Sequence, residues 1–90
     1  MTLPGGWDLV TPTSAARLLA ELRRELSSDH PLANMGLEAI ARRGDRDDVL
    51  FRCVGEPDRY LVVHLTWSGR TEPDPRWPSV VFDGPLIGLH

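Results

Sequence analysis

Among the side chains of this 90-residue chain that could carry protons, bind metal or act as a nucleophile, His64 has the most suggestive surroundings. It lies in "YLVVHLTW" (residues 60–67), where strand alternation puts Leu61, Val63, Leu65 and Trp67 on one face and Tyr60, Val62, His64 and Thr66 on the other. In the preceding run "VLFRCV", Val49, Phe51 and Cys53 form an apolar face and Leu50, Arg52 and Val54 a mixed one. Pairing the two mixed faces sets Arg52 on the His64 side. Tyr60, His64 and Arg52, with Trp77 from "PDPRWP", are therefore the candidate ligand-binding residues of a shallow groove. Histidine is the side chain best suited to proton transfer near neutral pH. The competing reading is structural: a half-buried sheet face covered by the proline-rich segment, with His64 bonded to a backbone group or a carboxylate.

Other chemistries fit less well. A Cys–His nucleophile would need Cys53 and His64 on one face, and alternation puts them on opposite faces. Cys53 reads as a small core hydrophobe. Asp45, Asp47 and Asp48 lack the twelve-residue frame of a calcium loop and read as a charged hairpin turn, Asp48 pairing with Arg43 or Arg46. The chain has no H-x-H, C-x-x-C or H-E-x-x-H, no G-x-S-x-G, no P-loop and no dinucleotide fingerprint. No metal, cofactor or catalytic residue is expected. Pro75 to Pro78 make a P-x-x-P, a form that SH3 domains bind, but Trp77 between them reads better as a core plug, buried like Trp67.

The elements that must position these residues begin with a helix over about 12–28. Thr11 caps it and Pro12 sits where a missing amide is harmless. Ala15, Leu18, Leu19, Leu22 and Leu26 recur at helical spacing. Arg17, Glu21 and Glu25 follow at intervals of four and read as an exposed, partly paired face. Pro31 excludes His30 from the α region, so the helix should end near Ser28 or Asp29. Residues 34–43 are ambiguous. Propensity favours helix with Gly44 as a cap, whereas Leu37, Ala39 and Ala41 alternating against Glu38, Ile40 and Arg42, with β-rich sequence following, favour a strand. The strand is the reading taken, giving an antiparallel meander over about 37–67. Pro73, Pro75 and Pro78 then make an extended arm, "SVVF" can add an edge strand, and an apolar tail ends the sequence.

One domain, 1–90, accounts for this length. The net charge of −3 and the absence of a basic stripe argue against nucleic acid. All ten basic residues are arginine, which reads as compositional bias. A single cysteine allows no internal disulfide, "MTLPGGWDLV" has no signal-peptide pattern, and no apolar run is long enough for a bilayer. A cytoplasmic protein without membrane contact is expected. Leu86, Ile87 and Leu89, with Tyr60 and Val62, offer apolar surface that two copies could bury, so a homodimer through the second sheet face or the 85–90 tail is expected.

"DDVLF" (47–51) and "VVHLTWSGRTEPDPRWP" (62–78) resemble a family of small, uncharacterised bacterial proteins with a leading helix, D-D-V-L-F, V-H-L-T-W-S-G and D-P-x-W-P. The resemblance covers about half the chain. It implies no activity, but it does imply one spatial cluster of Asp48, His64, Trp67, Asp74 and Trp77. Members of that family continue past W-P into an amphipathic segment, in contrast to "FDGPLIGLH" here.

These observations predict an α+β fold: an N-terminal helix on a three- to four-stranded antiparallel sheet, with a proline-rich C-terminal arm. The function expected first is a binding or interaction protein with an unknown protein partner and no catalysis of its own. The alternatives are an immunity-type or antitoxin-like inhibitor, and a small ligand-binding protein or enzyme with a groove around His64. A concave pocket converging on His64 would favour the last, and a flat face over a filled core the first.

Overall fold

The computed structural model describes residues 3–44 and 47–89. Five strands form one antiparallel sheet in chain order: β1 (Trp7–Leu9), β2 (Leu37–Arg43), β3 (Asp48–Cys53), β4 (Tyr60–His64) and β5 (Ser79–Gly84). Helix α1 (Pro12–Glu25) joins β1 to β2, and a 3-10 turn, Leu86–Gly88, follows β5. The α+β class is as expected, but the sheet has five strands rather than three or four. The lead-in supplies the extra one, Trp7 pairing with Arg43 and Leu9 with Ala41. Three residues flanked by Pro4, Gly5 and Gly6 carry no periodic signal, and only the neighbouring strand makes them β.

Thr11 caps α1 by accepting the Ser14 N–H at 3.1 Å. The helix stops at Glu25, short of the expected Ser28, because Leu26 turns to extended backbone (ψ 122°) while its N–H still reaches Leu22. Glu21 and Glu25 are buried, not on an exposed face. Backbone amides of the segment after β4 bond to their carboxyl groups, and those contacts replace water.

Each face of the sheet carries its own core. Leu18 and Leu22 of α1 pack on Leu37, Ala39, Val49, Phe51, Cys53, Leu61, Val63 and Leu65. Behind the sheet, Trp7, Ala41, Leu50, Val62 and Leu89 form a smaller cluster with Tyr60, Phe82 and Leu86 at its margin. The tail thus returns Leu89 to its own sheet and leaves Ile87 93% exposed.

Two local irregularities break the strand alternation. Ala39 pairs with Phe51 and Ala41 with Leu50, so Ile40 is an extra residue on β2. Leu37 and Ala39 face the helix, whereas Ala41 faces the second core; the expected common face of Leu37, Ala39 and Ala41 is broken there. On β5, Phe82 pairs with Val62 and Val80 with Val63, leaving Val81 as the extra residue. A bulge of this kind re-aims side chains.

The arm crosses the C-terminal end of α1 rather than the second sheet face. Thr71 Oγ1 donates to Arg24 O at 3.0 Å, and Glu72 N–H to Glu25 O at 2.9 Å. His30 is buried: Nδ1 accepts the Leu32 N–H at 3.0 Å, and Nε2–H donates to Pro78 O at 2.8 Å. Pro78 is thus the arm's buried anchor. The tryptophans expected in the core are not there: Trp67 is 40% and Trp77 44% exposed. β4 ends at His64, and Trp67, with φ 57°, turns away from the sheet instead of extending it.

Candidate functional site

The site is a row of side chains across the second sheet face. Asp48 and His64 are directly opposed on β3 and β4. His64 Nδ1 lies 2.8 Å from Asp48 Oδ1. A carboxylate can only accept, so Nδ1 carries the hydrogen and donates it. In the neutral imidazole the lone pair is then on Nε2, which has no partner among the described residues. Asp48 is buried and His64 half-exposed. On the other flank, Arg43 Nη1 lies 3.9 Å from Asp48 Oδ2, and its guanidinium stacks 4.5 Å from the Trp7 ring centroid. The β2 bulge makes this contact: in an unbroken strand Arg43 would share the helix-facing side with Leu37 and Ala39.

These three polar residues line one end of a cavity of about 400 Å³. Val62, Val81, Phe82 and Leu89 supply the apolar walls. Val81 lines it together with its neighbour Phe82 because of the β5 bulge. The arrangement can hold the polar end of a molecule at His64 and bury its apolar remainder.

Of the residues expected at the groove, only His64 lines this cavity. Arg52 and Tyr60 do share its face, but they oppose each other at the far end of the β3–β4 pair. Arg52 is bonded there to Glu38 at 2.7 Å, and Tyr60 packs at the margin of the second core. Trp77 projects from the arm. The five-residue cluster implied by the resemblance is not assembled: Asp48 and His64 meet, Trp67 lies 6.0 Å from Arg42, and Asp74 is held by Arg76. The expected pairing of Asp48 with Arg43 is present, while Asp45 and Arg46 lie outside the described residues. Cys53 and His64 fall on opposite faces, as alternation requires.

In the sequence Arg43 reads only as a partner for Asp48. Its place in the cavity depends on a bulge that no residue pattern announces. Leu89 reads in the sequence as part of a dimer surface, and its role as a cavity wall depends on the tail's return path. Among the described residues, no group of three or more His, Cys, Asp or Glu side chains is placed to hold a metal ion, and no helix is long and apolar enough to cross a membrane. No family model, curated protein or solved structure matches the chain, so relatives add nothing to this site or to the resemblance.

Proposed function

We propose that this domain binds a small amphipathic molecule behind its sheet, with an uncharged hydroxyl or amide end at His64 and an aliphatic part along Val62, Val81, Phe82 and Leu89. The observation that carries this reading is the concave, mostly apolar cavity converging on the Asp48–His64 pair. Its volume falls within the roughly 300–1,000 Å³ of small-molecule sites. The head group follows from charge: Asp48 and Arg43 offset each other, and the Nε2 lone pair asks for a donor. Hexanol and hexanamide should give saturable NMR shifts at the His64 ring and the Val62 and Val81 methyls. Val81→Trp, at the exposed wall, should abolish them. If neither probe produces saturable shifts at these groups, the reading fails.

A second reading, an interaction protein that also self-associates, has its own support. Trp77, Val80, Val81 and Ile87 are exposed on and beside β5, an edge strand. Exposed apolar edges invite pairing with another strand. Light scattering at high micromolar concentration should then give a dimer mass that falls to monomer in Val80→Lys. A monomer mass for the unaltered chain rejects it.

A further inference from the structure

The polar end of the cavity changes its charge when His64 takes up a proton, and that changes the head group it can receive. Neighbouring strands and the tail surround the ring. From β3, Asp48 accepts the Nδ1–H at 2.8 Å. Asp47, next to it, is exposed and does not line the cavity. From β2, Arg43 stands on the far side of Asp48, 3.9 Å from its other carboxyl oxygen and stacked on Trp7. From β5, Ser79 is the register partner of His64, and Val81 and Phe82 are uncharged walls. Leu89 closes the tail side. Asp48 and Arg43 are therefore the charged side chains that line the cavity with His64 among the described residues, and they offset each other.

With His64 neutral, the row is balanced and Nε2 presents a lone pair, which repels a carboxylate. With His64 protonated, both ring nitrogens donate. Asp48 already receives one of them, so the new N–H, at Nε2, has no acceptor among the described residues. The row Arg43–Asp48–His64 then carries one positive charge in excess. A carboxylate supplies both missing things, an acceptor and a negative charge. Its charge-assisted bond is roughly twice as strong as the neutral one that a hydroxyl or amide makes. Burying a bare carboxylate is costly, but the His64 side chain is 42% exposed, so a head group bonded there keeps part of its hydration. An aliphatic remainder then runs along Val62, Val81, Phe82 and Leu89.

We propose that the cavity takes an aliphatic carboxylate of the size of hexanoate, and takes it together with one proton, which resides on His64 Nε2. This rests on the reading of the cavity as a ligand site and adds a head group that the neutral site refuses. The sign follows from the pairing. The carboxylate binds the imidazolium form alone, so its affinity is full where His64 is protonated in the free protein and is lost as pH rises through that titration. A neutral hydroxyl or amide carries both donor and acceptor atoms and meets either form of the ring. Hexanol and hexanamide therefore gain no such dependence. The same row admits uncharged ligands in both states of His64 and carboxylates on the acid side alone.

The test is isothermal titration calorimetry of the full chain with hexanoate, hexanol and hexanamide from about pH 5.5 to about pH 8.5, in two buffers of unlike ionisation heat, with the His64 ring followed by NMR. Hexanoate affinity should be level below the midpoint read from the ring, fall about tenfold per pH unit above it, and bring in one proton there. Hexanol and hexanamide affinities should change by less than about threefold. Val81→Trp, at the exposed wall, should abolish hexanoate binding as it does hexanol binding. His64→Gln should bind hexanoate at least about tenfold more weakly and without the proton. Hexanoate affinity that is flat across the range, or that falls from the lowest pH with no break at the His64 midpoint, overturns the proposal. So does proton-linked binding that survives in His64→Gln. If hexanol and hexanamide bind and hexanoate never does, the carboxylate fails and the ligand site stands. If hexanoate alone binds, with its proton, the carboxylate stands and the uncharged head group fails. If none of the three binds, both readings fall.

Discussion

Trp7→Ala should be the most damaging of the three possible tryptophan truncations. A tryptophan buries about 150–250 Å², and Trp7 is only 7% exposed. At about 25 cal/mol per Å² that is roughly 4–6 kcal/mol before allowing for a compact denatured state, which trims it by about 10–40%. Stacking of Arg43 on the ring contributes about 0.5–1 kcal/mol more. The expected loss is about 4 kcal/mol, within the usual range for large aromatics. A chain of this length has roughly 5–13 kcal/mol in all. Trp77, with 44% of its surface in water, should lose about 2 kcal/mol on truncation by the same arithmetic. Urea denaturation of both variants, followed by circular dichroism at neutral pH, measures the difference. Because Trp7 also holds Arg43 against Asp48, Trp7→Ala should weaken hexanol binding in the fraction that remains folded. A Trp77→Ala loss as large as that of Trp7→Ala would mean that the arm aromatic belongs to the core. A Trp7→Ala loss below about 1 kcal/mol would mean that β1 is not an integral strand.

Two further outcomes follow from burial and exposure. Burial pushes the Cys53 thiol above its ordinary value, so iodoacetamide should label it only at the rate of unfolding; rapid labelling of the native protein would place it outside the helix-facing core. Arg52→Ala should leave the urea midpoint essentially unchanged, since both members of its pair with Glu38 are largely solvated, and it should leave hexanol binding intact; a loss of binding would extend the site to the far end of β3 and β4.

The helix-facing half of the molecule was legible because regular alternation and 3.6-residue spacing agree there. Val49, Phe51 and Cys53, then Leu61, Val63 and Leu65, face Leu18 and Leu22 as their pattern demands. The second face was not, because its cover comes from Trp7 and Leu89 near the two ends of the sequence, and neither lies in a periodic run. Glu21 and Glu25 read as exposed in the sequence, and are buried, for a related reason. Carboxylates four apart on a helix signal solvent unless something brings donors to them, and here the donors are backbone amides of a segment more than forty residues away. Side-chain type cannot announce a backbone partner.

The same reasoning explains why the Asp48–His64 pair was half-foreseen and its setting missed. Strand alternation was enough to place His64 on the mixed face and the hairpin was enough to bring Asp48 near a cation. Neither could put Arg43 and Val81 beside them, because each follows or forms a bulge. Without the extra residue at Ile40, Arg43 would lie on the helix side and Asp48 would keep only a half-exposed histidine against its buried charge. Without the extra residue at Val81, one of the two adjacent side chains now lining the cavity would turn to the opposite face. Each bulge interrupts a ladder, which costs backbone hydrogen bonding that a regular strand would keep. A polar row needed only for folding could be replaced by apolar residues without that cost, so the two interruptions that converge on one cavity weigh toward a ligand there rather than toward packing alone.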